Sequence, residues 1–224
     1  MPSERLYLNI TNHCNMCCPF CCMYSSPKKN TFMPFDTYKK ILNSANDYEL
    51  QIEGGEPLLH PQFDNFFTYA LNDGECKKII ILTNGINIRK DILRIVNMRN
   101  KNTKNVEIKI SVNNFLVNSK KRFLFEVALA VQNIEFIDGL CIKLNVRKSY
   151  EDAINLQEEI AKYNLTDKIS NCFYFNRYGR LKDDGRYGAI VIKQNIADWK
   201  IYASDGKCFG QDLIKRSEYE NELS

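Results

Sequence analysis

The sequence predicts an α/β fold: parallel β/α units curled into a partial (β/α)6 barrel, followed by a short C-terminal extension. Three observations predict it. Strand-like and helix-period runs alternate from residue 6 to about residue 176, the pattern of right-handed parallel β/α units. Val106, Ile108, Ile110 and Val112 alternate strictly with polar residues, as do Leu140, Ile142, Leu144 and Val146, so these strands have one face for helices and another for something else. That other face is polar. Asn9, Glu53, Lys109, Ser111, Asn113, Lys143, Asn145 and Arg147 fall on it, whereas a closed eight-stranded barrel fills the same space with branched apolar side chains. An open, wet chamber is the expectation.

The elements follow in order. Leu6-Tyr7-Leu8-Asn9-Ile10 has a strand period. Phe35, Tyr38, Ile41, Leu42 and Ala45 recur at helical spacing after Pro34, which suits a first helical turn. Leu50–Glu53 is a short strand cut off by Gly54-Gly55-Glu56-Pro57. Phe63–Leu71 is a helix ending near Gly74, and Ile79–Leu82 is a continuous apolar run that suits a buried parallel strand. Ile92, Leu93, Ile95 and Val96 mark a third helix, and Lys120–Val131 a fourth after the Val106 strand. Beyond the Leu140 strand, Ser149 stands three residues before Asp152, a variant capping box opening a helix to about Tyr163. Ile169–Asn176 is the sixth strand. The barrel thus spans 1–182. The extension, 183–224, contains strand-like Ala189–Ile192 and Lys200–Tyr202 and a hairpin-like turn at Ser204-Asp205-Gly206-Lys207; it is expected to act as a lid.

Composition excludes several classes. The hydrophobic fraction of 44% and charged fraction of 26% are ordinary for a globular chain. Lys and Arg number 31 against 27 Asp and Glu, too small an excess to argue for a nucleic-acid partner. Arg89–Arg122 is locally basic, but helix ends and loops are commonly solvated this way. The amino end enters a strand directly, without signal-peptide features, and Ile79–Leu82 is too short to span a membrane. Nine cysteines, five of them between residues 14 and 22, fit a reducing cytoplasm.

Those five decide the chemistry. The stretch reads Cys14-Asn15-Met16-Cys17-Cys18-Pro19-Phe20-Cys21, with Cys22 next. Pro19 disfavours a helix here, so a tight loop can turn Cys14, Cys18 and Cys21 toward one point. Zinc competes, since Cys14/Cys17 and Cys18/Cys21 are both C-x-x-C pairs, but the pairs abut where zinc knuckles are normally separated. A 4Fe–4S cluster suits the spacing better, and three thiolates would leave one iron open. The C-x-x-x-C-x-aromatic-C pattern, with Phe20 at the aromatic place, resembles the cluster loop of the radical S-adenosylmethionine (radical SAM) superfamily. The resemblance implies that the open iron chelates the amino and carboxylate groups of S-adenosylmethionine.

Smaller matches follow, one at each strand end, and the resemblance covers roughly residues 5–182. Glu53–Leu58 resembles the family's glycine-glycine-glutamate segment, which implies that Gly54, Gly55 and Glu56 bind the cofactor, the glycines contacting its methionyl amino group. Ser111 and Asn113 match positions that bind the ribose and carboxylate, and Arg147 is placed to meet the same carboxylate. Tyr178, in Asn176-Arg177-Tyr178-Gly179-Arg180, falls in what looks like the adenine-side segment. Cys17 and Cys22 read as bystanders, and His60 as a turn residue. Some peptide-modifying relatives carry extra clusters in a cysteine-rich tail; here only Cys208 and nearby Cys172 are on offer. Cys208 is the candidate hydrogen-atom donor to a substrate radical, with Cys172 second.

The resemblance implies an enzyme that cleaves S-adenosylmethionine by reduction. It takes an electron from a low-potential donor of flavodoxin or ferredoxin type and generates a 5′-deoxyadenosyl radical, which abstracts hydrogen from a peptide or small-molecule substrate. The alternatives are an activase for a glycyl-radical enzyme and a non-catalytic metal-binding module.

Overall fold

Strand alternation decides the layering. In β4 (Asn105–Val112) the residues Val106, Ile108, Ile110 and Val112 are at most 1% exposed, while Glu107, Lys109 and Ser111 face the other way. β5 (Leu140–Lys148) pairs with it in register, Ser111 beside Asn145 and Lys109 beside Lys143. The apolar faces pack under helices into one core that runs from Leu6 to Tyr202. The computed structural model describes residues 2–100, 102–150, 155–188 and 198–223.

The remaining strands are β1 (Glu4–Asn9), β2 (Tyr48–Glu53), β3 (Cys76–Thr83), β6 (Ile169–Tyr174) and β7 (Asp198–Tyr202). All pair in parallel, in the order β6-β5-β4-β3-β2-β1-β7, as a curled partial barrel with helices on its convex side. Helices α1 (Phe35–Asn43), α2 (Phe63–Asn72) and α3 (Ile88–Arg99) follow β1, β2 and β3. α4 (Asn114–Ser119) and α5 (Phe123–Ile134) follow β4, and α6 (Leu156–Ala161) and α7 (Leu213–Glu222) follow β5 and β7.

Three expectations need correction. The sheet has a seventh strand: Lys200–Tyr202 lies in β7, beside β1 at the edge opposite β6. The chain leaving β6 therefore crosses to the far side of the half-barrel. Next, the expected helix Lys120–Val131 is shifted to α5, and a short α4 precedes it because the Asn113 side chain caps it, accepting from the Leu116 N–H at 2.9 Å. Third, α6 begins only at Leu156, and Ser149 meets the Tyr187 hydroxyl at 2.9 Å. Asp152 and the strand expected at Ala189–Ile192 lie outside the described residues. The expected turn at Ser204–Lys207 does form, with Gly206 at φ +93° and Cys208 returning antiparallel beside Tyr202.

The polar concave face is neutralised near its floor. Arg5 pairs with Glu49, and Glu107 accepts from Lys78 at 2.6 Å and lies 3.4 Å from Lys109. In the basic segment Arg89, Lys90, Lys121 and Arg122 are exposed as expected, while some of its other cations are used within the protein. Arg99 donates to the Lys104 and Asp138 carbonyls, Lys104 to those of Ala70 and Asp73, and Arg94 pairs with Asp64. No helix among the described residues is long and apolar enough to cross a membrane.

His60 is a core residue. Its Nε2 lies 3.2 Å from the Met33 carbonyl and its Nδ1 accepts the Gln62 N–H at 3.0 Å, which fixes the neutral ring with the proton on Nε2. Burial lowers its pKa to about 4. The unfolded chain then binds the extra proton between about 6.5 and about 4, so stability should fall as pH drops through that window. We expect thermal denaturation of His60→Gln to have a shallower pH dependence there than wild type, by up to about 1.4 kcal/mol per pH unit. Equal slopes would mean that His60 is free to ionise in the fold.

Candidate functional site

The polar residues of the concave face gather at the strand C-termini, and the cysteine loop sits over them. The loop is zipped at its base. Met33 N–H bonds to the Ile10 carbonyl at 2.8 Å, Asn12 N–H to Thr31 and Cys14 N–H to Ser26, both at 3.2 Å. That leaves residues 14–25 as a closed turn, tightened by Cys21 N–H to the Cys18 carbonyl at 3.2 Å. Phe20 pins the tip, stacked on Phe175 at 4.1 Å and edge-on to Phe115 at 5.9 Å.

The loop and its neighbour Asn84 aim donors at sulfur. The Met16 N–H donates to Cys14 Sγ at 3.4 Å, and the Asn84 amide does so at 3.7 Å. Cys21 Sγ accepts from the Met23 and Ser25 backbone. Burial pushes the Cys14 thiol up to about 12, opposed by the Met16 bond and reinforced by Cys21. Burial first, then Cys21 and Cys14, push Cys18 up to about 12, and burial raises Cys21 too. Cys17 points outward and is exposed. Among the described residues, no group of three His, Cys, Asp or Glu is arranged to hold a single ion.

Gly54 and Gly55 serve the loop. A Cβ on Gly55 would stand 2.2 Å from the His13 carbonyl oxygen, and one on Gly54 2.4 Å from that of Thr11. Gly54 also adopts φ +148°, which favours glycine. Their missing side chains let the base of the cysteine loop lie on the end of β2. Glu56 is buried, with Oε1 accepting from Thr83 Oγ1 at 2.9 Å and Leu58 N at 3.3 Å, and Oε2 from Asn84 N at 2.8 Å. Burial raises its pKa to about 7 against those three donors. It reaches the cysteines through Asn84, a residue the sequence motifs did not single out.

On the other side of the rim, Ser111 and Arg147 lie on the concave face, while the Asn113 Oδ1 caps α4. The Arg147 guanidinium and the Tyr178 hydroxyl both converge on the Cys22 thiol, with which they interact electrostatically. Arg147 Nε is buried with no partner, an orphaned donor at the chamber wall. Cys22 is therefore a junction between the loop, β5 and the turn after β6. α7 closes the β1–β2 side: Arg216 pairs with Glu53, Ser217 donates to the Cys22 carbonyl, and Glu220 accepts from Asn9 and from Ser204 N and Oγ. Arg216 and Glu220 had no sequence signal.

Two candidate residues are not brought to the site. Cys208 is exposed beside Tyr202, which shares the face of Leu8 and hence of the helices. Cys172 pairs beside Val146, again on the helix face, at the opposite edge of the sheet. Neither faces the chamber, and the two are too far apart in the sheet to share a cluster. A groove of about 730 Å3 lies elsewhere, between α1 and α2, and includes none of the residues above.

The profile of the radical SAM superfamily matches residues 8–176, three quarters of the chain. The chain belongs to the radical SAM superfamily. Membership of the radical SAM superfamily implies S-adenosylmethionine and an iron–sulfur cluster. The donor set fits: three buried or half-buried thiols, with Cys14 and Cys18 each made harder to ionise by a neighbouring thiol, can become thiolates together only around a cationic group. The orphaned Arg147 Nε likewise fits an anionic group such as a carboxylate.

An uncharacterised protein of Methanocaldococcus jannaschii is 27% identical over 171 residues, covering 72% of this chain and 50% of that one. The antilisterial bacteriocin subtilosin biosynthesis protein AlbA of Bacillus subtilis is 29% identical over 99 residues, 43% and 21% of the two chains. The chain spans half or less of these relatives' lengths. The crystal structure of Streptococcus suis SuiB bound to precursor peptide SuiA has the same fold, with a TM-score of 0.57 at 18% identity over 81% of this chain and 41% of that one.

Proposed function

We propose that this chain holds a 4Fe–4S cluster through Cys14, Cys18 and Cys21 and cleaves S-adenosylmethionine reductively to modify a peptide. The observation that carries the reading is the cysteine loop, closed over the polar end of a parallel half-barrel with backbone donors aimed at Cys14 and Cys21. A bound cluster would supply one-electron reduction of the sulfonium, with the electron coming from a low-potential donor, and so the radical chemistry needed to take a hydrogen atom from the substrate. The chain's own residues bind and orient. Arg147 meets the methionyl carboxylate, Ser111 the ribose, and the segment around Tyr178 the adenine side. Glu56 holds Asn84 against Cys14. Water is excluded on one flank by α7, which seals the ends of β1 and β2.

A peptide is preferred as substrate because SuiB is bound to a precursor peptide and AlbA serves bacteriocin biosynthesis. The test is anaerobic reconstitution with iron and sulfide, then incubation with reductant, S-adenosylmethionine and a candidate precursor peptide encoded beside the gene. Formation of 5′-deoxyadenosine together with a mass change in the peptide is expected. A fully loaded protein that makes no 5′-deoxyadenosine under these conditions contradicts the reading.

A further inference from the structure

The chain leaving β6 crosses the rim of the half-barrel at Tyr178-Gly179-Arg180, where it touches the cysteine loop. Gly179 lies at φ +62°, and a Cβ there would stand 2.3 Å from Cys22 Cα. The Tyr24 hydroxyl donates to the Gly179 carbonyl at 2.8 Å. Arg180 N–H donates to the Cys21 carbonyl at 3.1 Å, and its guanidinium donates to the carbonyls of Cys18 at 2.6 Å, Tyr24 at 3.0 Å and Ser25 at 2.9 Å. One side chain thus gathers three carbonyls from a turn more than 150 residues earlier. All of these acceptors are neutral, so the full positive charge of the guanidinium stands beside Cys18 and Cys21.

We infer that Arg180 is the positioning residue of the cysteine loop, fixing the turns that carry Cys18 and Cys21 and favouring the more negative, reduced state of whatever those thiolates hold. The inference rests on the cluster reading above. Arginine suits the task because its planar fork presents five donors in fixed directions, where lysine offers a compact point charge. Cluster potentials respond to net charge and to nearby hydrogen bonds, so a guanidinium at this place raises the potential as well as shaping the loop. A purely structural staple would alter loading without altering the potential.

The experiment compares the full chain with Arg180→Ala, Arg180→Lys and Arg180→Gln after anaerobic reconstitution, reading iron content and the cluster potential by redox titration followed by electron paramagnetic resonance. Arg180→Ala should hold less than half the iron of wild type, and Arg180→Lys should keep most of it at a near-native potential. Arg180→Gln, which retains donors but no charge, should hold iron with an electron-uptake equilibrium about tenfold less favourable, equivalent to about 59 mV. Separately, in metal-free protein, alkylation of Cys21 should be several-fold faster in Arg180→Ala, read by peptide mass spectrometry. An unchanged potential in Arg180→Gln overturns the inference, as does unchanged iron content and Cys21 alkylation in Arg180→Ala. If wild type itself binds no cluster, the proposed function fails instead, and the alkylation rates still report on Arg180.

Discussion

Reconstituted Cys14→Ala, Cys18→Ala and Cys21→Ala proteins are each expected to lose the brown chromophore and to cleave S-adenosylmethionine only at background. Each of these thiols is buried or half-buried in the closed turn, and each removal leaves two thiolates for four irons. Cys17→Ala should behave as wild type, because Cys17 points outward. Cys22→Ala should separate from both groups. It keeps the three ligands but removes the thiol on which Arg147 and Tyr178 converge, and a buried polar group left without its partner costs roughly 1–3 kcal/mol. Iron content, visible absorbance and chemical denaturation measure all five variants. A bleached Cys17→Ala beside a coloured Cys18→Ala would reassign the ligands.

Arg216→Met is expected to destabilise the chain by about 3–5 kcal/mol, since removing one partner of a buried pair leaves an uncompensated charge. The Arg216 and Glu53 side chains are 4% and 10% exposed, so water cannot replace the lost partner. In the variant, Glu53 would keep the Gln51 amide at 2.6 Å but no cation. Because α7 is held at the strand ends largely through Arg216 and Glu220, loss of the pair should also loosen the wall that this helix makes. Glu53→Gln combined with Arg216→Met should recover much of the loss, as the pair itself is worth less than the cost of breaking it. Urea denaturation of the four proteins in a double-mutant cycle gives the coupling. A loss below about 1 kcal/mol in Arg216→Met would place the pair in the range of exposed ion pairs.

What the sequence made legible was periodic or local. The alternation in β4 and β5 gave both the helix face and the polar face, because a side-chain period of two leaves no ambiguity once one face must be buried. The cysteine loop was readable because its residues are adjacent. β7 was not recognised as a sheet member, because Lys200–Tyr202 carries no mark of its partner, and pairing beside β1 spans nearly the whole chain. Arg180, Arg216 and Cys22 act through contacts with residues more than 120 positions away, which no spacing rule encodes. Asn113 carries a second readable signal, as an N-cap before Asn114–Ser119, beside its match to a ligand-binding position. The glycine pair lies at the expected strand end, where its missing side chains also let the backbone of the cysteine loop pack closely.

With three cysteines of this chain as ligands, one iron of the proposed cluster is left for S-adenosylmethionine. Binding at that iron is tested most directly by electron paramagnetic resonance of the reduced, reconstituted protein with S-adenosylmethionine labelled with nitrogen-15 at its amino group. A changed cluster signal on addition of the cofactor, with a hyperfine coupling to the labelled nitrogen, is expected. A cluster signal that is identical with and without the cofactor, and shows no such coupling, would contradict it.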